Sequence, residues 1–152
     1  MSPKLDTRIL LLADKDAIMQ FENQLLAETV SDAMEREMKS WDARWRAEAL
    51  EHYLPQGWSF ACFRENRIVG YFLGQPYLFH RGLTQTLWIE HLSARQPEVA
   101  RELIEVAHKW ARDKHLQTVL LENNPRSEFI LEDFPKATLI GSGLIELKSA
   151  RF

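Results

Sequence analysis

Cysteine is nearly absent from this sequence: Cys62 stands alone among 152 residues, so no disulfide can form within the chain. Its place in an apolar stretch marks a buried thiol rather than a nucleophile. Long hydrophobic runs are missing as well. The longest aliphatic run, Ile9-Leu10-Leu11-Leu12-Ala13, falls far short of the roughly 20 apolar residues that cross a bilayer. No basic segment followed by an apolar signal core opens the chain, so a cytoplasmic protein with no membrane partner is expected. Glycine and proline number six each and are scattered, without a linker, a repeat or a low-complexity tract, which points to one domain over 1–152. Charge of one sign is also scarce. The 19 Lys and Arg are interspersed with 22 acids for a formal net charge of -3, which weighs against a nucleic-acid partner. No P-loop, dinucleotide fingerprint or Gly-x-Ser-x-Gly elbow occurs. The histidines His52, His80, His91, His108 and His115 offer no metal-type pair with a nearby carboxylate or thiol, His108 and His115 lying two turns apart, and no metal is expected.

What is present is a globular balance, 45% hydrophobic and 27% charged. Thr7 to Leu12 reads as a short buried strand, followed by a helix with Asp14 or Asp16 as cap and Ala17, Ile18, Phe21, Leu25 and Leu26 at helical spacing. Ser31 or Asp32 caps a second helix in which Met34, Met38, Trp41, Trp45 and Ala49 make one mainly core stripe, ending near Pro55 to Gly57. From Trp58 the period changes to two. A strand through Phe63 turns at Glu65-Asn66 into a partner from Arg67 to Gly74, Pro76 breaks the pairing or marks a bulge, and His80-Arg81-Gly82 makes the next turn. Thr84 to Leu92 completes the meander, with Thr86, Trp88, Glu90 and Leu92 on one face and Leu87, Ile89 and His91 on the other. Pro97 starts a long helix patterned by Val99, Ala100, Leu103, Ile104, Ala107, Trp110 and Ala111. Thr118 to Glu122 is a strand reached through that helix and so parallel to a neighbour. A short helix from Ser127 to Leu131 follows, then a hairpin of Ala137 to Ile140 and Leu144 to Lys148 around Gly141-Ser142-Gly143.

This order of elements, with the stretch "ARELIEVAHKWARDKHLQTVLLENN" from Ala100 to Asn124, resembles the GNAT superfamily of N-acetyltransferases over nearly the whole chain. The resemblance implies an α/β (α+β) fold with a central mixed, mostly antiparallel sheet flanked by helices. It also implies acetyl-CoA as co-substrate, its pantetheine arm lying where the fourth strand splays from the fifth, beside Leu92. A loop entering a helix N-terminus presents unpaired N–H groups and partial positive charge, a natural receptor for pyrophosphate. The family's loop pattern, Arg or Gln, two residues, Gly, one residue, then Gly or Ala, falls on Arg95-Gln96-Pro97-Glu98-Val99-Ala100. Arg95 and Ala100 fit the pattern; Pro97 lacks an N–H, and Glu98 replaces the glycine with a like charge. That charge opposes a phosphate by up to roughly 3 kcal/mol at about 5 Å and an effective dielectric near 20. The cofactor-binding set implied is Leu92, Arg95, Gln96, Val99, Ala100, Arg101 and Asn124.

Glu90, on the strand beside that gap, stands where the resemblance places a base for the amine proton. The family's acid, a tyrosine seven residues after the asparagine, falls on Leu131 when counted from Asn124. The acceptor implied is a primary amine of a small molecule or peptide, in a pocket walled by Trp41, Trp45 and the loop around Ser142. A binding module of the same fold without catalysis is the other reading, and exposed aromatics or a swapped terminal hairpin would support a homodimer.

Overall fold

A computed structural model describes residues 4–41, 43–80, 84–141 and 143–148. Seven strands form there: β1 (Asp6–Ile9), β2 (Phe60–Arg64), β3 (Arg67–His80), β4 (Thr84–Ala94), β5 (Thr118–Glu122), β6 (Ala137–Ile140) and β7 (Leu144–Lys148). They form one sheet in the order β1-β2-β3-β4-β5-β7-β6. All neighbours run antiparallel except β4 and β5, which pair in parallel from Thr86↔Thr118 to Ile89↔Leu121 because a helix carries the chain between them. The helices are α1 (Lys15–Thr29), α2 (Ala33–Trp41), α3 (Ala47–Tyr53), α4 (Pro97–Asp113) and α5 (Phe129–Asp133).

Each face of the sheet has its own apolar layer. On one, Val99, Leu103, Ile104, Ala107 and Ala111 of α4 bury their stripe against Leu87, Ile89, Leu92, Val119 and Leu121. On the other, Ile18 and Phe21 of α1 and Leu50 and Tyr53 of α3 cover Ala61, Tyr71 and Leu73. The first turn of α4 approaches β3 closely at Gly70, where an added Cβ would lie 2.5 Å from Val99 Cγ1.

Several local expectations are corrected. The first strand stops at Ile9, and Leu11 and Leu12 are exposed as the chain turns through Leu12–Asp14 into α1. Asp14 precedes α1 but takes the Leu11 N–H at 2.8 Å and the Arg8 guanidinium, instead of capping the helix. The second helix is two: α2 leaves Met34, Met38 and Trp41 exposed, and only after the break do Trp45, Leu50 and Tyr53 enter the core. Periodicity alone could not show that the stripe changes helix midway. Glu65 and Asn66 make the expected turn, both left-handed at φ 50 and 65. Strand β3 runs on through Pro76, which pairs opposite Leu87; β2 pairs with β3 only to Phe60↔Phe72, leaving the free edge where a strand tolerates proline. The short helix lies at Phe129–Asp133, two residues later than expected from its start at Ser127. The expected turn residues Arg81, Gly82 and Ser142 lie outside the described residues.

The register of β4 matters most. Leu73 pairs with His91 and Gly74 with Ile89, so Glu90 is an extra residue, a β-bulge. The bulge reverses the alternation beyond it. Leu92 joins Leu87 and Ile89 beneath α4, while His91 turns to the α1 face beside Tyr71, the opposite of a regular strand's assignment.

Candidate functional site

Past Ile89↔Leu121 the parallel ladder ends and a cleft of about 300 Å³ opens, with Ile89 to Leu92 on one wall and Leu121, Glu122 and Asn124 to Ser127 on the other. Backbone left without a strand partner here has donors and acceptors to offer. Glu90 projects from the bulge at this opening. Its carboxylate accepts the Trp88 indole N–H at 2.8 Å, and its carbonyl accepts Arg44 Nη1 at 3.0 Å. Burial and the Glu90 charge push the Tyr53 phenol up to about 12, so that side chain stays neutral beside the acid. Arg44, from the break between α2 and α3, also pairs with the Glu122 carboxylate and so ties β4 to β5 across the opening. Nothing in the sequence pattern marked Arg44 for this place.

A second cavity of about 500 Å³ adjoins the first, sharing Leu92, Pro125 and Arg126 in its walls. Arg95, Gln96, Ala100 and Arg101 line it, at the N-terminus of α4. Val99 does not: its side chain is fully buried in the core, and its N–H, like that of Ala100, is directed to the Gln96 carbonyl. Asn124 lines the smaller cleft, where its side-chain oxygen accepts the Arg126 N–H at 2.9 Å and fixes the turn after β5. Trp45, 8% exposed, lines the larger cavity, whereas Trp41 is 63% exposed and stands outside both. The expected pairing of the two tryptophans in one wall is therefore not formed. Leu131 packs against the α4-side core.

The charges around the larger cavity are arranged unequally. Arg95 is held by Glu28 at 3.1 Å over the Phe21 ring, and Arg101 by Asp133 at 2.8 Å. Glu98 is turned toward Arg64, 3.5 Å away, and is absent from the cavity wall; Arg64 also donates to the Gln96 side chain. Arg126 lines both cavities and makes no ion pair among the described residues. An unpaired guanidinium in a wall that two cavities share suits an anionic ligand spanning them. Sequence reasoning missed Arg126, although its place two residues after Asn124 was a usable signal.

No family model matches the chain, and no curated protein does. Solved structures do. The PaiA N-acetyltransferase from Thermoplasma acidophilum, in complex with coenzyme A, is similar at a TM-score of 0.68 and 12% identity over 95% of this chain and 99% of that one. A probable acetyltransferase from Staphylococcus epidermidis gives 0.68 at 13% identity over 97% and 100%. A Drosophila melanogaster polyamine N-acetyltransferase, which catalyses the formation of N-acetylagmatine, gives 0.64 at 13% identity over 94% and 97%. At these identities the likeness is one of fold.

Proposed function

The fold is that of the GNAT N-acetyltransferases, and on it we propose that this chain transfers the acetyl group of acetyl-CoA to a primary amine of a small molecule or peptide. One observation carries the reading. The two cavities share Leu92, Pro125 and Arg126 in their walls, one at the start of α4 and the other at the split between β4 and β5. An elongated donor with phosphates at one end and a thioester at the other matches that arrangement. Arg126 would take the phosphates, with Arg95, Gln96, Ala100 and Arg101 around it and the backbone of Val99 behind. Leu92 and Asn124 would flank the arm. Glu98, drawn aside by Arg64, does not oppose the phosphates at close range.

The amine enters at the smaller cleft, where the Glu90 carboxylate favours an ammonium group. Glu90 accepts the ammonium proton and frees the nitrogen lone pair. Trp88 and Arg44 hold the bulge so that this carboxylate faces the opening. Trp45 serves the donor cavity that it lines.

A second reading is favoured by the pairing of Arg95 with Glu28 and of Arg101 with Asp133: a module that binds another ligand and does not catalyse. A melting curve with and without acetyl-CoA separates the two. A ligand at about 100 times its dissociation constant adds roughly 2.7 kcal/mol of stability. No shift at millimolar acetyl-CoA sinks the enzyme reading.

A further inference from the structure

Three buried polar atoms without a hydrogen-bond partner lie together between α1 and the sheet: Glu22 Oε1, Tyr71 Oη and His91 Nε2. Each such group costs about 1–3 kcal/mol when left unsatisfied. Glu22 and His91 are 4% and 8% exposed, and His91 Nε2 is 3.6 Å from Glu22 Oε2. The Tyr71 and His91 rings are 5.6 Å apart. Burial and the Glu22 charge hold the Tyr71 hydroxyl well above its ordinary range, so it stays neutral. Two of its residues border the cavities, His91 the smaller cleft and Glu22 the larger. Only the bulge at Glu90 brings the imidazole to this face, one residue beyond the proposed base.

We infer that His91, backed by Glu22, is a proton shuttle of the acyl transfer, carrying a proton from the acceptor nitrogen to the departing sulfur. This rests on the acetyltransferase reading. After Glu90 has taken one proton from the ammonium, the amine lone pair forms the C–N bond and leaves a second proton on nitrogen. His91 accepts that proton and becomes imidazolium, and the Glu22 carboxylate compensates its charge. The C–S bond then breaks with its electron pair on sulfur, and His91 returns the proton to yield the free thiol and a neutral ring. Glu90 releases the first proton to solvent. Nitrogen and sulfur are bonded to the same carbon in this step, so one imidazole suffices for both. The shuttle supplies the acid that Leu131 cannot. Glu22 is a positioning residue, acting only through His91.

The charged and titratable groups around His91 are Glu22 from α1, Tyr71 from β3, Glu90 beside it on β4, and Arg44, Glu122 and Arg126, which line the same cleft. Three carboxylates and two guanidinium groups are thus within the cluster's reach, with Glu22 nearest the ring.

The test uses the full chain, acetyl-CoA and a panel of primary amines, with thiol release followed between about pH 5 and pH 9. His91→Asn should lower kcat by about 10²-fold or more while keeping the acetyl-CoA melting shift. Glu22→Gln should move the acidic limb of the kcat profile to lower pH, a change that a merely structural role for Glu22 would not produce. It also serves if His91→Asn does not fold. Loss of the melting shift in the parent protein sinks the acetyltransferase reading. A normal shift with His91→Asn turning over at the parental rate at every pH, or a kcat profile unmoved by Glu22→Gln, overturns the shuttle alone.

Discussion

Arg64 Nη2 lies 3.5 Å from Glu98 Oε1, and this pair turns the only acid in the first turn of α4 away from the cavity at that helix end. The acid in this loop, where the GNAT pattern has a glycine, is thus turned aside rather than into the cavity.

The pair makes a prediction about acetyl-CoA. Arg64→Ala should free Glu98 to face the phosphates and weaken binding by about fivefold, near 1 kcal/mol for an exposed charge. Glu98→Gly should strengthen it, and Arg64→Ala should have little effect once Glu98 is gone. Calorimetric titration of the three variants measures the coupling; equal losses from Arg64→Ala in both backgrounds would show that Arg64 acts without Glu98.

Arg126→Ala should cost more than either, about 1.5–3 kcal/mol of acetyl-CoA affinity, because a charge-assisted contact is lost with no neighbour to replace it. Arg126→Lys should recover part of the charge but not the forked geometry. The melting shift with acetyl-CoA, compared with that for dephospho and pantetheine analogues, locates the phosphate it serves.

Glu90→Gln keeps the size of the side chain and its contact with Trp88 but cannot take a proton. The expected result is a kcat lower by about 10²-fold or more with acetyl-CoA affinity unchanged. A variant that retains the full rate at every pH would remove Glu90 from the proton path.

Much of the fold was legible because its signals are local. The 3.6 spacing along α4, the left-handed pair Glu65-Asn66 and the glycines around the last hairpin each fix an element without help from the rest. The site was less legible because its geometry depends on one residue of register. Nothing in Trp88-Ile89-Glu90-His91-Leu92 announces that Glu90 bulges, so His91 and Leu92 were expected on each other's faces. Glu22 follows Phe21 on a helix and reads as a solvated acid, yet the close cover of β3 and β4 buries it. Arg44 and Arg126 sit in connecting segments, where periodicity has no meaning, and only tertiary contact shows what they face.

Stability should respond to acid at Asp14. The Arg8 side chain, with the Leu11 N–H also contributing, holds the Asp14 carboxyl below its ordinary range. Because the folded state binds this proton more weakly than the unfolded chain, the contribution is complete above the unfolded value of 3.8 and is lost as pH falls through the lower folded one. Asp14→Asn should therefore cost about 0.5–1 kcal/mol at neutral pH, and that gap should close in acid. Urea unfolding at several pH values follows it.

Gly70→Ala tests the seat of α4. Its Cβ would meet Val99 Cγ1 at 2.5 Å and the Ser93 carbonyl at 3.1 Å, so the helix start must shift. Destabilisation of about 1–3 kcal/mol is expected, with weaker acetyl-CoA binding beyond what unfolding accounts for. Chemical denaturation and calorimetry on the same sample distinguish the two effects.

The bulge at Glu90 also limits how this strand can change length. Flattening the bulge with every residue kept would exchange everything downstream between the layers, placing the His91 imidazole in the apolar packing under α4 and Leu92 against the Glu22 carboxylate, whereas deleting Glu90 would keep those faces but remove its carboxylate from the opening. A single insertion before the bulge would do comparable damage. Substitutions along β4 can be absorbed one at a time, but its residue count cannot drift, and homologues of this chain should conserve the spacing between Ile89 and Leu92 more strictly than the residues that occupy it.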